Sequence, residues 1–380
     1  MIYKICKRCV MDTSDPDIVI NDESGTCNHC EKYYSRKSEF TYTAQSSKEF
    51  ENILLRIKKE GRGRKYDCLI GVSGGVDSTY IAFLLKQHNI RPLAIHLDNG
   101  WNSELAVGNI ERALNKLGID LVTYIINWPE FRDLQLSFLK ASVPGMEIPT
   151  DHAITAILYQ TALKYNIKTI VLGANMSSEL IMPPSWSEVE GQRDWLLIKN
   201  IQKEFGTKKL KTFPHFSWFN FYKYKGINKL NVVSILDQLN YSKDEAIKVL
   251  ENDLGWKYYG GKHYESIYTR FTQGYIQPVK FGFDKRRAHL SNLVCRGDMT
   301  RDEALSLLDK NPYPDESMLK EDIIYFKKKL GLSDDDFNNL MQLPVKSYQD
   351  YKGYFSSSYH IMLRKFVFKI HSIRKLILNQ

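Results

Sequence analysis

The stretch Leu69-Ile70-Gly71-Val72-Ser73-Gly74-Gly75-Val76-Asp77-Ser78-Thr79 decides the reading of this chain. It reads as a strand that ends in a phosphate-cradling loop and opens a helix. Tyr66 to Val72 is an apolar, partly β-branched run suited to a buried strand, and Thr79 to Gln87 carries helical periodicity through Ile81, Phe83, Leu84 and Leu85. Between them, adjacent glycines let backbone N–H groups approach an anion, and the helix N-terminus adds its partial positive charge. Ser73 and Ser78 supply hydroxyl donors for phosphate oxygens. Asp77 is explicable beside phosphate only through a bridging Mg²⁺.

The string SGGVDS resembles the PP-loop of the ATP pyrophosphatases, which cleave ATP between the α and β phosphates. A Walker A loop needs a Gly-Lys-Ser/Thr ending and a dinucleotide fingerprint needs G-x-G-x-x-G, and neither fits. The loop therefore predicts binding of ATP and Mg²⁺ by Ser73, Gly74, Gly75, Asp77 and Ser78.

Four of the six cysteines form two pairs, Cys6-x2-Cys9 and Cys27-x2-Cys30. This is zinc-ligand spacing: each pair sits on a tight knuckle, and two knuckles close a tetrahedral Zn²⁺ site with no open position. Cys68 reads as a small buried residue of the first strand, and Cys295 has no activating partner nearby in sequence. No run reaches the roughly 18 apolar residues that a spanning helix needs, and Lys4, Lys7 and Arg8 interrupt any signal-like start. The expectation is a cytoplasmic protein without a membrane span.

At 380 residues the chain exceeds one small core. The expected division is a zinc module and connector over 1–47, an α/β domain over 48–240 and a helical substrate- or partner-binding domain over 241–380. Strands are expected at Tyr66 to Val72, Pro92 to Asp98, Leu121 to Ile126, Lys168 to Gly173 and Val232 to Leu236, alternating with helices. That alternation predicts a doubly wound parallel sheet. Ligands of such sheets bind beyond the carboxyl ends of strands. Asp98 and Trp101 after the second strand, and Gly173, Asn175 and Glu179 after the fourth, therefore join the loop at one site. Asp98, Gly173 and Asn175 are assigned to the nucleotide, and Trp101, Glu179 and Trp186 to the substrate.

Basic residues exceed acidic ones, 53 against 44, for a net charge of +9, which favours anionic partners without identifying them. Polar groups are dense between residues 255 and 301. Lys262, His263, Glu265 and Lys285 are the expected catalytic groups beside Asp77, with Arg270, Arg286 and His289 on the substrate side. Such groups suit pyrophosphate or carboxylate binding.

The cysteine pairs, the SGGVDS loop, Gly255-Trp-Lys-Tyr-Tyr-Gly-Gly-Lys-His-Tyr-Glu and Asp284-Lys-Arg-Arg-Ala-His-Leu-Ser together resemble the N-acetyl sugar amidotransferases of the WbpG and PseA type. The resemblance implies conversion of the acetamido group of a bacterial surface-polysaccharide sugar, nucleotide-activated or acidic, into an acetamidino group. Adenylation by ATP would activate the amide oxygen, and ammonia would displace AMP. Position 2 is Ile, not the cysteine nucleophile of asparagine synthetase-type glutaminases. The resemblance thus implies a separate glutaminase, like that of histidine biosynthesis, with a cyclase-like companion supplying ammonia. Two other readings stand beside it: a PP-loop tRNA-thiolating enzyme, and a non-enzymatic zinc-ribbon protein that binds nucleic acid. Nucleic acid is not the expected partner, because binding alone leaves the PP-loop unexplained.

Overall fold

The computed structural model describes residues 3–187, 191–261, 264–313, 315–357 and 362. Its centre is a five-stranded, wholly parallel sheet in the order β3-β2-β1-β4-β5. The strands are β1 Cys68–Gly71, β2 Pro92–Asp98, β3 Leu121–Ile125, β4 Thr169–Leu172 and β5 Asn231–Ser234. In β1, Leu69 faces one layer while Cys68 and Ile70 face the other, and all three are buried. An apolar run without polar alternation is what a strand covered on both faces requires.

One covering layer is α2 (Ala44–Gly61), α3 (Val76–Gln87) and α4 (Glu104–Leu117), following α1 (Asn28–Arg36) of the amino-terminal module. Phe50, Ile57, Ile81, Leu85 and Ile110 fill the space beneath this layer. The opposite layer is α5 (Trp128–Ala141) and α6 (Ile148–Lys164), whose Phe131, Phe138 and Ile157 pack on Leu69, Ile95 and Ile170. The sheet is doubly wound, and its strand order reverses at β1, with β2 and β4 on either side. The carboxyl ends of β1 and β4 diverge there and leave a crevice.

After β4 come the short α7 (Met176–Glu179) and α8 (Pro184–Ser187), then α9 (Trp195–Phe205) and α10 (Trp218–Tyr222). From residue 241 the chain is helical: α11 (Lys243–Leu254), α12 (Ile267–Phe271) with a wide π-helical continuation Thr272–Phe281, α13 (Arg286–Arg296), α14 (Arg301–Leu308), α15 (Glu316–Leu330) and α16 (Asp334–Gln342). Among these helices, α13 and α14 share a small core of Leu290 and Ala304 with Val10 of the amino-terminal module, and others pack on the α/β layers. Ala246, Leu250 and Trp256 pack on Val76 of α3 and Ala113 of α4, while Phe271, Phe326 and Phe337 join the core under α5 and α6.

The amino-terminal module rests on α13. Val10 N–H donates to Ser291 Oγ at 3.2 Å, Arg287 pairs with Asp12 at 2.9 Å and also donates to Val10 O, and Arg301 of α14 donates to the carbonyls of Cys6 and Cys9. On its other side α13 presents Asn292, which bonds both backbone groups of Ile181 at 2.8 and 2.9 Å.

The strand boundaries lie within two residues of expectation, and α3 begins three residues before the expected Thr79, at Val76. The periodicity reading gave no element at α9 or over 272–281. The π-helical stretch contains Pro278 and Gly274, residues that disfavour a regular helix on local propensity. Tyr359 to Leu378, whose sequence reads as amphipathic and basic, lies largely outside the described residues.

Candidate functional site

The PP-loop closes on itself before it meets any ligand. Ser78 Oγ lies 3.3 Å from the N–H of Ser73 and donates to the Gly75 carbonyl, and Thr79 Oγ1 donates to the same carbonyl at 2.8 Å. Gly74 has φ +81°, and a Cβ on it would stand 2.4 Å from the Ala106 carbonyl. Its own carbonyl accepts the Trp256 indole N–H at 2.9 Å. Gly75 opens α3 as its N-cap, and a Cβ there would crowd Ser73 Oγ, Tyr259 Oη and Glu265 Oε1 at 3.1–3.6 Å. The second glycine therefore keeps open the concavity above the helix N-terminus, where an oxyanion gains most.

Three cavities meet around this loop. The first, about 600 Å³, lies over the carboxyl ends of β1 and β2 and is lined by Val72, Ser73, His96, Asn99, Leu158 and Leu172 among others. Apolar walls beside a phosphate loop are suited to a nucleotide. The second, about 370 Å³, sits on the loop between Gly75, Asp77, Gly173, Glu179 and Glu265. The third, about 710 Å³, lies between α11 and α13 with Lys243, Arg270, Arg286, Arg296 and Lys310 around it. Asp77 and Lys243 border both the second and third, while Lys285, His289, Gln273 and Thr269 border both the first and third.

Asp77 Oδ1 accepts a hydrogen bond from the Tyr241 hydroxyl. Burial and the Asp77 charge raise the Tyr241 phenol well above its ordinary range, so it remains a donor. With Glu179 and Glu265, Asp77 places three carboxylates around the loop cavity. These are hard oxygen ligands of the kind Mg²⁺ takes beside a triphosphate. His96 is held below its usual pKa chiefly by burial. As a neutral ring it donates from Nδ1 to the Val72 carbonyl at 2.9 Å and accepts from Asn102 Nδ2 at 3.1 Å.

The four paired cysteines are buried, and their sulfurs lie within 4.8 Å of one another, with Cys6–Cys30 at 3.8 Å and Cys9–Cys27 at 3.7 Å. A tetrahedral ion with Zn–S bonds of about 2.3 Å sets its sulfurs roughly 3.8 Å apart. The donor set thus fits a single tetrahedral metal ion. His29 is not a ligand but pairs with Asp15 at 2.6 Å. Cys295 is buried with Sγ 3.9 Å from Cys30 Sγ, a fifth sulfur beside the cluster.

Of the expected site residues, Ser73, Gly75, Asp77, Ser78, Gly173, Glu179, Glu265, Lys285 and His289 line the first two cavities. Lys262 and His263 lie outside the described residues. Arg270 and Arg286 border the third cavity, but each guanidinium is engaged, with Asp322 at 2.7 Å and Asp284 at 2.7 Å. Four expectations are corrected. Trp101 is no stacking surface for a ligand: it is fully buried against Trp128, Tyr268 and Phe326, with its N–H on Gln135. Trp186 is buried and stacked on Phe283 with centroids 4.9 Å apart. Asn175 caps α7, its amide oxygen accepting from Ser177 N–H and Oγ–H. Asp98 accepts the Gly100 N–H in its own turn, leaving Asn99 on the cavity wall. Asp194 is the buried N-cap of α9, accepting the Leu197 N–H at 2.8 Å.

Sequence reasoning missed Glu147, Asp151, Gln273 and Gln277 on the first cavity and Tyr241 and Lys243 on the third. Glu147 and Asp151 stand four residues apart at the start of α6, a spacing that places them on one face. Nothing local marks Tyr241, which reaches Asp77 only because α11 packs on α3.

The architecture is the parallel α/β core typical of PP-loop ATPases, carrying an amino-terminal Cys₄ cluster and a helical carboxyl-terminal region. Residues 265–365 match the family model described as the LPS biosynthesis protein WbpG-like, C-terminal domain. An uncharacterised protein of Methanocaldococcus jannaschii is 30% identical over 118 residues, 31% of this chain and 41% of that protein. The glutamine-hydrolysing GMP synthase of Thermus thermophilus is 34% identical over 103 residues, 27% of this chain and 19% of the synthase. The chain thus spans less than half the length of these relatives. Among solved structures, the U34-tRNA thiolase NcsA of Methanococcus maripaludis, determined with its 4Fe–4S cluster, is similar over 81% of this chain and 89% of its own. The TM-score there is 0.34 and the identity 17%.

Proposed function

We propose that this protein is an ATP-dependent, AMP-forming amidotransferase that converts the acetamido group of a surface-polysaccharide sugar into an acetamidino group. The observation that carries this reading is the origin of the third cavity's wall. Arg286, His289 and Arg296 belong to the segment that matches the WbpG-like model, and that cavity abuts Asp77 of the PP-loop. An amide oxygen delivered from this side would attack the α-phosphate held by the loop. Pyrophosphate would depart with its charge met by Mg²⁺ and by Lys243, which borders the loop cavity. Ammonia would then displace AMP from the O-adenyl imidate. The Cys₄ site would hold zinc as a structural ion, and ammonia would come from a separate glutaminase.

The test is mass spectrometry of acetamido sugars, free and nucleotide-linked, incubated with the protein, ATP, Mg²⁺ and ammonium. Exchange of one oxygen for NH, with AMP and pyrophosphate formed in equal amounts, is expected. Formation of ADP instead would rule the mechanism out.

A second reading, tRNA thiolation, is favoured by the fifth sulfur beside the cysteine cluster and by the basic charge. It requires a sulfur carrier near the adenylated base. Among the described residues no cysteine lines the three cavities. Iron and sulfide in the purified protein, with thiolated tRNA as product, would decide for it.

A further inference from the structure

The segment from Arg193 to Lys229 concentrates the charge of the whole chain. It holds nine basic residues against two acidic ones, which is seven of the net +9. Neither acid offsets them locally. Asp194 is buried and spends its carboxylate on the N–H groups of Leu197 and Tyr354, and Glu204 stands at the carboxyl end of α9, where Phe205 packs on Tyr351.

Within this segment, α10 and the π-helical turn Lys223–Ile227 that continues it are apolar on both sides. Phe221 and Tyr224 face inward onto Tyr159 of α6, with ring centroids 6.0 and 5.0 Å away. Phe219, Lys223 and Ile227, spaced by four residues, lie on the outer side, where Phe219 is 77% and Ile227 73% exposed. Tyr222 beside them is 38% exposed, and a Cβ on Gly226 would meet nothing within 4 Å. A helical segment that is apolar all round belongs with apolar matter on every side, and among the described residues only the inner side has it.

Cations flank the outer face. Arg193 lies over the Phe221 ring at 5.6 Å, and Lys223, Lys225 and Lys229 belong to the turn or follow it. Partial burial, and then the charge of Arg193, lowers the Lys225 pKa, so these two cations crowd each other. No ion pair neutralises any of the four among the described residues. The surface thus lacks two things at once, negative charge and an apolar phase. RNA brings phosphates and bases that stack on Phe219 and Tyr222, but the aliphatic Ile227 has no part in stacking. The core of a protein interface is depleted in lysine, and three of these four cations are lysines. An anionic bilayer supplies both, phosphates for the cations and an acyl boundary for Phe219 and Ile227.

We propose that this face docks the protein on an anionic lipid surface, with Phe219 and Ile227 seated at the boundary between head groups and acyl chains and Arg193, Lys223, Lys225 and Lys229 among the lipid phosphates. Lysine side chains reach the head groups while their stems lie along apolar matter. No helix among the described residues is long and apolar enough to cross a membrane, so this face attaches to one leaflet. The docking face is independent of the amidotransferase reading, because none of its residues lines the three cavities.

The test is co-sedimentation of the full chain with lipid vesicles at physiological salt. Binding is expected to mixed phosphatidylcholine and phosphatidylglycerol vesicles and not to phosphatidylcholine alone. Phe219→Ser with Ile227→Ser should weaken it about tenfold or more, the effect of withholding two apolar side chains from the bilayer. Lys223→Glu with Lys225→Glu should weaken it about tenfold or more through lost attraction to the phosphates. The pairs are substituted separately and checked by thermal melting, so a variant that fails to fold leaves the other to decide. No binding of the wild type to mixed vesicles overturns the proposal, as does equal binding to neutral ones or binding that persists in either folded variant. Binding of single-stranded RNA in place of vesicles, weakened by the lysine pair, overturns it and assigns the face to nucleic acid. Self-association in place of vesicle binding, abolished by the Phe219 and Ile227 pair, overturns it and assigns the face to a second copy of the chain.

Discussion

Asp77 carries the only carboxylate within the phosphate loop itself, and its orientation depends on one phenol from another part of the chain. Tyr241→Phe removes that donor and leaves the carboxylate free to rotate. A hydrogen bond to a charged group is worth about 1.5–3 kcal/mol, so turnover to AMP should fall roughly 10- to 100-fold. Steady-state pyrophosphate release against thermal melting separates this from unfolding, because the ring and its packing on Tyr80 remain. A second residue governs stability. His152 is fully buried, stacked on Phe216 at 4.5 Å, and burial lowers its pKa to about 4. In the unfolded chain an imidazole takes its proton near 6.5. Stability is therefore full above that pH and is lost as pH falls from about 6.5 to about 4, by on the order of 3 kcal/mol for this group. Urea midpoints at pH 7, 6 and 5 should decline in the wild type and decline less in His152→Gln, once each is referred to its own value at pH 7.

At the scale of elements, α13 bears on everything around the site. Its first turns carry Lys285, Arg286 and His289 to the cavities, while Asn292 holds the backbone at Ile181, two residues beyond Glu179. Asn292→Ala leaves both backbone groups of Ile181 without their partner and should cost about 1–3 kcal/mol in urea unfolding. Because Glu179 loosens with that loop, the KM for Mg·ATP should rise in the same variant. An unchanged KM would mean that Glu179 is held by other contacts. The elements also divide into those the sequence makes legible and those it does not. The five strands and the helices that cover them announce themselves because β1, β2 and β4 are buried on both faces and their apolar runs are continuous. The loop is legible for the same local reason: Ser73 to Ser78 needs particular residues at particular spacings. Trp101 and Trp186 look like ligand surfaces because a large aromatic beside a site loop is ambiguous until its neighbours are known. Trp128, Phe326 and Phe283, which enclose them, come from distant segments. The part of the first cavity lined by Glu147 and Gln277 is invisible for a related reason, since it exists only where α6 meets a π-helical stretch that has no sequence period of its own.

Across the whole molecule, none of the four paired cysteines lines any of the three cavities, yet α13 joins their cluster to the site and Met182 packs on the cysteine core while lining the first cavity. Stripping the metal with a chelator should therefore lower the cooperative unfolding midpoint and depress pyrophosphate release together, and one equivalent of zinc per chain should restore both. Loss of one without the other would uncouple the module from the site. The brace between the cysteine knuckles and the 287–301 segment has a further consequence for how the protein is made. The knuckles leave the ribosome before the helices that cover them, which follow only after some 270 further residues, an interval of roughly a quarter of a minute to a minute at ordinary elongation rates. During that interval the nascent module has no α13 to rest on, and contacts of such long sequence separation form late in any folding route. The cavity that would hold the nucleotide is thus completed only once His289 of α13 has been synthesised, so a product that ends before α13 retains the phosphate loop but lacks the wall against which its ligand is held.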